Sequence, residues 1–570
     1  MIGALALSGT AFAQVPSSND TSDGNNNTGM GTHALGGPAA SNGGGDNTAS
    51  GYAALAANTT GSNNTASGYG ALYSNTTGSN NTASGYDALI SNTSADNNTA
   101  SGFFALYSNT TGMYNAAFGD QSLYTNNANN NTAVGHAALY NNTTGYSNTA
   151  TGTAALYSNV GGLDNSAFGY TALNDNTSGD YNTASGASAL YANTTGSNNT
   201  ASGYESLTAN TTGGGNTASG ASALYSNTTG SGNTASGLQA LYSNTTGSYN
   251  TASGENALYN NTTGGSNTAS GVNALDSNTT GSNNTACGLQ ALPLNTTGSY
   301  NTASGSQALY SNTTADYCTA SGYGALAYNN GVSNTAAGYE ALYANTTGTE
   351  NTASGVHALA ANTTGSNNIA EGYHGGYNLT TGSNNIDIGS PGAKADSGVI
   401  RIGTVTGTTS TQSAAYIAGI YGVKTTTAGT AVFIDSSGQL GTVSSSIRYK
   451  EDIQPMAGAS ERLLKLRPVK FRYKKADASG EKPIQYGLIA EEVAKVYPEL
   501  VVRDATTGRI DGVRYDELAP MLLNELQKRN TAQDAEMRDL KRQVAELKAL
   551  NQTTQLALRK LQAKDELAQR

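Results

Sequence analysis

The stretch SSSIRYKEDI, residues 444–453, concentrates residue types that can do covalent chemistry. Ser445, Arg448 and Lys450 stand at i, i+3 and i+5. A serine hydroxyl is a weak nucleophile until a base takes its proton, and a lysine can be that base once burial or nearby charge depresses its pKa. The same residues also suit a Ser-rich linker entering a strand, with Arg448 and Lys450 as solvated charges, and spacing alone does not choose between the two.

Other reactive types are sparse. His33, His136, His357 and His374 show no ligand-like spacing, so no metal or cofactor is expected. Two cysteines are too few for a disulfide framework. Cys287 and Cys318 replace small residues of a repeat at positions two repeats apart, roughly 9 Å along a stack of strands and outside disulfide reach. Glu205, Glu255, Glu340 and Glu350 fall at variable repeat positions and form no carboxylate pair of the kind that cleaves glycosides. The many Asn-x-Thr triplets match glycosylation acceptors, but a repeat rich in Asn and Thr generates them by composition. The recurrent tyrosines read as packing between turns or chains, with contact to sugar rings as the alternative.

Everything before the chemistry is a repeat. From Asn47 the chain runs NTASGYAALAANTTGSN, then NTASGYGALYSNTTGSN, then NTASGYDALISNTSADN, a period of 17. The opening Asn returns at Asn64, Asn81, Asn98 and Asn115, slips by one residue to Asn131, and continues to Asn368 and Asn385. Such strict periodicity separates the region from disordered low-complexity sequence. TAS and ALY are short enough to be strands, while NTTGSN and the Gly after TAS supply turns, since Gly permits positive φ and Asn tolerates it. Helix is excluded by this punctuation. The expected fold is mainly β, a long parallel β-solenoid or β-roll over residues 46–390. Its interior looks thin, little more than the Ala of NTASG, the Ala-Leu pair and part of a Tyr, and association of several copies would offset the backbone entropy lost on ordering.

Charge divides the chain differently from the repeats. All 27 Lys and Arg lie between Lys394 and Arg570, and the formal net charge is -11. The repeat region has no cation with which to release counterions from a phosphate backbone, so nucleic acid is not an expected partner. MIGALALSGTAFAQ reads as an apolar run and Ala-Phe-Ala cleavage site, a signal-like peptide over residues 1–13 without a basic n-region, and it points to export to the cell surface or beyond. Residues 14–45 read as a Gly/Asn-rich linker. No later run reaches the roughly 18 apolar residues of a membrane span.

After the repeats, residues 391–444 read as a β transition module, with AAYIAGIYGV and AVFIDSSGQLGTV as apolar strands. The last segment, residues 529–570, reads as a coiled coil. Its seam begins at Leu523 and Leu526 and runs through Asn530, Gln533, Met537, Leu540, Val544, Leu547, Asn551, Thr554, Leu558 and Leu561, spaced alternately by three and four. A single amphipathic helix folded back on its own domain is the alternative.

Two resemblances bear on this order of parts. The N-T-A-x-G-x-x-A-L core resembles the repeats of trimeric autotransporter adhesin heads and related fibres, although those heads usually show a shorter period. SSIRYKEDI, LLKLRPVKFRYKK, QYGLIAEEVAKVYPELV and GVRYDELAPMLLNELQ together resemble the C-terminal intramolecular chaperone domain of endosialidase-type phage tail spikes. Ser446 stands where that family often has Asp, and Tyr449 where it often has Leu or Phe. The resemblance implies a small α+β chaperone and auto-processing domain over residues 445–528, a homotrimer, and a Ser-Lys dyad. Ser445 would be the nucleophile, Lys450 the general base and the bond between Ser444 and Ser445 the cleavage site, with Arg448 as an auxiliary that orients the loop or pairs with Glu451 or Asp452. The expected protein is an exported trimeric fibre or adhesin whose tail assembles it and then cuts itself off. The competing expectation is a virion-borne tail fibre or spike whose repeats bind or hydrolyse a surface glycan or receptor.

Overall fold

A computed structural model describes residues 20–36, 43–403, 432–434, 440–442, 444–475, 480–504 and 507–569. The signal-like peptide and the AAYIAGIYGV segment lie outside these residues. The chain divides into two units, residues 1–415 and 416–570.

The first unit is a parallel β-solenoid whose described strands form one 24-stranded sheet. The coil beginning at Asn64 shows how 17 residues close a turn. Thr65–Ser67 is the strand, and it pairs in register with the equivalent strand one repeat on, Thr65 with Thr82, Ala66 with Ala83 and Ser67 with Ser84. Because side chains alternate along a strand, Ala66 points inward while Thr65 and Ser67 face water. Outside the strand the backbone also bonds from coil to coil, as in Leu72 N to Ala88 O at 3.0 Å and Thr76 N to Thr93 O at 2.8 Å.

The expected second strand is absent. ALY is a run of turns in which Leu72 adopts φ 53°, a conformation repeated at Leu89, Leu106 and so on along the chain. The reason is burial: Ala71 and Leu72 are both fully inside, and two consecutive residues cannot face one side of a β-strand. A left-handed leucine costs roughly 1–2 kcal/mol, and burying its side chain returns about 1.5–3 kcal/mol. Glycine is required just upstream, where Gly68 has φ 136° and a Cβ would stand 2.3 Å from the carbonyl oxygen of Gly85.

The interior is fuller than the sequence suggested. Two asparagines per coil, Asn64 and Asn75 here, are completely buried beside Ala66, Ala71 and Leu72. Asn64 donates its backbone N–H to Asn47 Oδ1 at 3.0 Å and its side-chain amide to Gly78 O at 2.8 Å. Asn75 donates to Asn58 Oδ1 and to the same Gly78 carbonyl, each at 2.9 Å. A single chain therefore closes its own core, and a thin interior is not a reason for association. The asparagine of each NTT triplet is the second of these buried residues, which removes that acceptor from the folded surface.

The chain slips by one residue twice, at Asn131 and at Asn334, and each slip is absorbed in a turn. Asn126 and Asn131 are five residues apart where Asn58 and Asn64 are six, yet Asn131 N still reaches Asn115 Oδ1 at 2.9 Å. The stack also starts before Asn47. Thr28–Met30, within the stretch read as linker, pairs in parallel with Thr48–Ser50, and its other edge is taken by Asp20–Ser22 running antiparallel. At the far end Ile386–Ile388 pairs with Ile400–Ile402.

The second unit is a small α/β body. Val469–Phe471 pairs with Gln485–Gly487, and Val501–Arg503 with Ile510–Val513, both antiparallel. Helix α1 spans Ala490–Val496 and helix α2 spans Tyr515–Ala568. The core is Leu463, Val493, Tyr497, Leu500, Val501 and Met521. Helix α2 runs on through 54 residues without a break at the expected domain boundary near 528. Its seam residues Leu523, Leu526, Met537, Leu540, Val544, Leu547, Leu558 and Leu561 are exposed, so the helix does not fold back onto its own domain.

Candidate self-processing site

The residues around Ser445 form a short capped turn. Ser446 is the N-cap of a 3-10 turn over Ile447–Tyr449, and its hydroxyl accepts from Arg448 N at 3.4 Å and from Arg448 Nε at 3.3 Å. Lys450 N closes the turn on Ile447 O at 3.2 Å. Ser446 N donates to Ser444 Oγ at 3.3 Å, which folds the expected cleavage site back on itself. The Arg448 guanidinium lies over the Tyr449 ring, 5.6 Å from its centre. Arg448 contacts Ser446 and Tyr449, and among the described residues no ion pair joins it to Glu451 or Asp452.

Ser445 and Lys450 share this turn, and both are exposed. Among the described residues no hydrogen bond joins them. The turn therefore places Ser445 and Lys450 close in sequence, with both side chains in solvent.

Downstream of the turn in sequence lies a polar network that sequence reasoning missed. The 3-10 helix Ala457–Lys465 is fastened to α2 through Ser460, which is fully buried. Ser460 Oγ donates to Glu525 Oε1 at 2.7 Å and accepts from Asn524 Nδ2, and Lys528 Nζ reaches Glu525 Oε1 at 3.1 Å and Glu461 Oε1 at 3.5 Å. The Ser460 bond, then Lys528, holds the Glu525 carboxyl below its ordinary pKa. Tyr497 adds a second fastening, its hydroxyl donating to Ala459 O at 3.1 Å while Arg462 covers its ring at 4.6 Å. Ser460 and Glu525 are 65 residues apart, and no local pattern in the sequence marks the pair.

The solenoid carries the remaining candidates. Tyrosines of neighbouring coils stack on one another, for example Tyr52 on Tyr69 at 5.0 Å and Tyr69 on Tyr86 at 4.9 Å, so inside such a run the ring faces are already covered and only edges meet solvent. Cys287 is exposed and Cys318 buried, both unpaired, and burial pushes the Cys318 thiol up. The histidines are less scattered than they look: His357 and His374 are one period apart and their rings lie 5.4 Å from each other. Among the described residues no group of three or more His, Cys, Asp or Glu is already arranged around a metal position, and no helix is long and apolar enough to cross a membrane.

The family described as chaperone of endosialidase matches residues 445–502. The match starts at Ser445 itself and ends in the strand Val501–Arg503, so it covers the capped turn, the 3-10 helix that carries Ser460, the first hairpin and α1. Neither a curated protein nor a solved structure matches the chain.

Proposed function

We propose that the protein is an extracellular or virion-associated trimeric fibre, in which residues 445–570 align three solenoid chains and then leave by self-cleavage before Ser445. The observation that carries this reading is the chaperone of endosialidase match directly behind a solenoid whose coils are nearly interchangeable. Identical coils make slipped registers between chains nearly equal in energy, and long-range parallel pairing folds slowly, so a separate device that sets register is physically useful. The exposed seam of α2 suits that device, because three copies would bury it against one another.

In the cleavage step the Ser445 hydroxyl gives its proton to Lys450 and Oγ attacks the Ser444 carbonyl carbon. The bond from that carbon to Ser445 N breaks, leaving an ester on Oγ and a free amino group on Ser445, which takes up the proton. Water then hydrolyses the ester, so that one product ends in the Ser444 carboxylate and the other begins at Ser445 with its hydroxyl restored. Burial of Lys450 at the contact between chains would depress its pKa and start the reaction, which ties cutting to assembly.

The test is the intact mass and oligomeric state of the full chain, unaltered and as Ser445→Ala. The expected result is a cut chain with a new N-terminus at Ser445 in the first and whole trimers in the second. Whole trimers in both would leave the tail as an assembly clamp and remove the peptidase role.

A further inference from the structure

The seventh position of the repeat forms a column on the flank of the solenoid, and every residue in it adopts a left-handed backbone, with φ 50° at Glu340, 55° at His357 and 57° at His374. Elsewhere the column holds mostly small or amide residues, such as Gln239, Asn256, Asn273, Gln290 and Gln307, with His33, Asp87, Phe104 and Glu205 standing singly among them. Only at coils 340, 357 and 374 do three metal-ligating types follow one another at the 17-residue period. A spacing of 17 is meaningless along a helix or an isolated strand. In this fold it is the spacing of nearest neighbours.

The distances have the scale of coordination. Glu340 Oε2 and His357 Nδ1 lie 3.3 Å apart, with about a quarter of each side chain exposed. That is long for a hydrogen bond and equals the roughly 3.3 Å that separates two ligand atoms on a tetrahedral zinc with bonds of 2.0–2.1 Å. The His357 and His374 ring centres are 5.4 Å apart, against about 5 Å for two imidazoles on one such ion. His374 is the part that has to move: its ring now stacks on Tyr373 at 3.9 Å and Tyr377 at 4.7 Å.

We propose that Glu340, His357 and His374 bind a divalent first-row transition metal on the flank of the solenoid, with His374 turning about its side-chain bonds from the two tyrosines toward the ion. Two imidazoles and one carboxylate select zinc, nickel, cobalt or copper over calcium and magnesium, which prefer all-oxygen shells. Water fills the outward coordination position, since the column is open to solvent. The ion would clamp three successive coils near the C-terminal end of the stack and resist their separation.

Zinc is the probe. The full chain, carrying Cys287→Ser to remove the exposed thiol, is titrated with zinc chloride by calorimetry and then dialysed and analysed for retained metal. The tests are His357→Asn, His374→Asn and Glu340→Gln, residues the same column already accommodates at other coils, so each is expected to keep the β-sheet circular dichroism spectrum. His136→Asn, outside the column, is the control. The expected result is one zinc per chain, at least tenfold weaker binding in each of the three variants, and no change in the control. Absence of zinc binding in the parent, equal binding in His357→Asn or His374→Asn, or an equal loss in the control would overturn the site.

Discussion

Asp387 and Arg401 are direct register partners in the last two strands of the solenoid, standing in the column that alanine fills as far as Ala370. Asp387 is 1% exposed and neither of its carboxylate oxygens has a hydrogen-bond partner. Arg401 turns instead to Asp396, with Nε to Oδ2 at 2.7 Å and a second bond to Oδ1 at 2.9 Å.

This arrangement makes the end of the solenoid weaken as pH rises toward neutrality. Burial, and after it the charge of Asp396, pushes the Asp387 carboxyl up to about 6, against the pull of Arg401. Its folded form therefore holds a proton that the unfolded chain releases near pH 4, and stability falls as pH rises from there through about 6. Asp396 shifts the other way through its bonds to Arg401, so its contribution is lost only as pH falls below the usual carboxylate range. The last coils should be firmest near pH 4. Asp387→Ala, which restores the column, should stabilise them at pH 7.5 by on the order of 1–3 kcal/mol and flatten the profile between pH 4 and 7. Hydrogen exchange of residues 369–402 across that range reads both effects.

The buried amide ladder should matter more than the exposed threonines. Asn199 accepts from Asn216 N at 3.0 Å and donates to Gly213 O at 2.9 Å inside the core. Asn199→Ala strands those partners away from water and should cost about 2–4 kcal/mol, whereas Thr200→Ala on the outer face should stay within about 1 kcal/mol. Urea unfolding of the two variants distinguishes them.

Helix α2 should govern assembly. Leu540 and Val544 lie exposed on its seam, and replacing both by Asp would place like charges together where copies meet. Sedimentation should show trimers for the unaltered chain and monomers for the double variant, with the solenoid's circular dichroism unchanged.

Loss of Ser460 should loosen the tail without touching the cleavage chemistry. Ser460→Ala leaves the Glu525 carboxylate and Asn524 without their buried partner, at a cost of about 1–3 kcal/mol. Thermal unfolding should register the loss, and cleavage, once chains have assembled, should still begin at Ser445.

Much of this molecule was readable from its residues, and the exceptions have physical causes. The period, the inward Ala of TAS and the Ala-Leu pair announce a solenoid, because repetition at 17 with a turn every few residues admits little else. Leu72 misleads, since an apolar residue beside Ala71 reads as strand, and only closure of the coil demands its left-handed backbone. Asn64 and Asn75 mislead in the opposite direction: asparagine ordinarily marks a turn at the surface, and only stacking of identical coils gives each amide a buried partner above and below. Glu340, His357 and His374 look unrelated until 17 is treated as a contact distance. The family likeness marks where the chaperone match begins, at Ser445, while the Ser460 network joins segments too distant for any local pattern to reveal.

The reversed strand Asp20–Ser22 gives the stack a direction and a stop. A parallel array of like coils behaves as a one-dimensional crystal, and an open face would recruit the next copy as readily as the chain recruits its own next repeat. Running antiparallel along Thr28–Met30, these three residues present any incoming coil with the wrong polarity. Growth is opposed at this end from within the chain, and the span of the stack is set by its repeats, about 4.8 Å for each one added or removed.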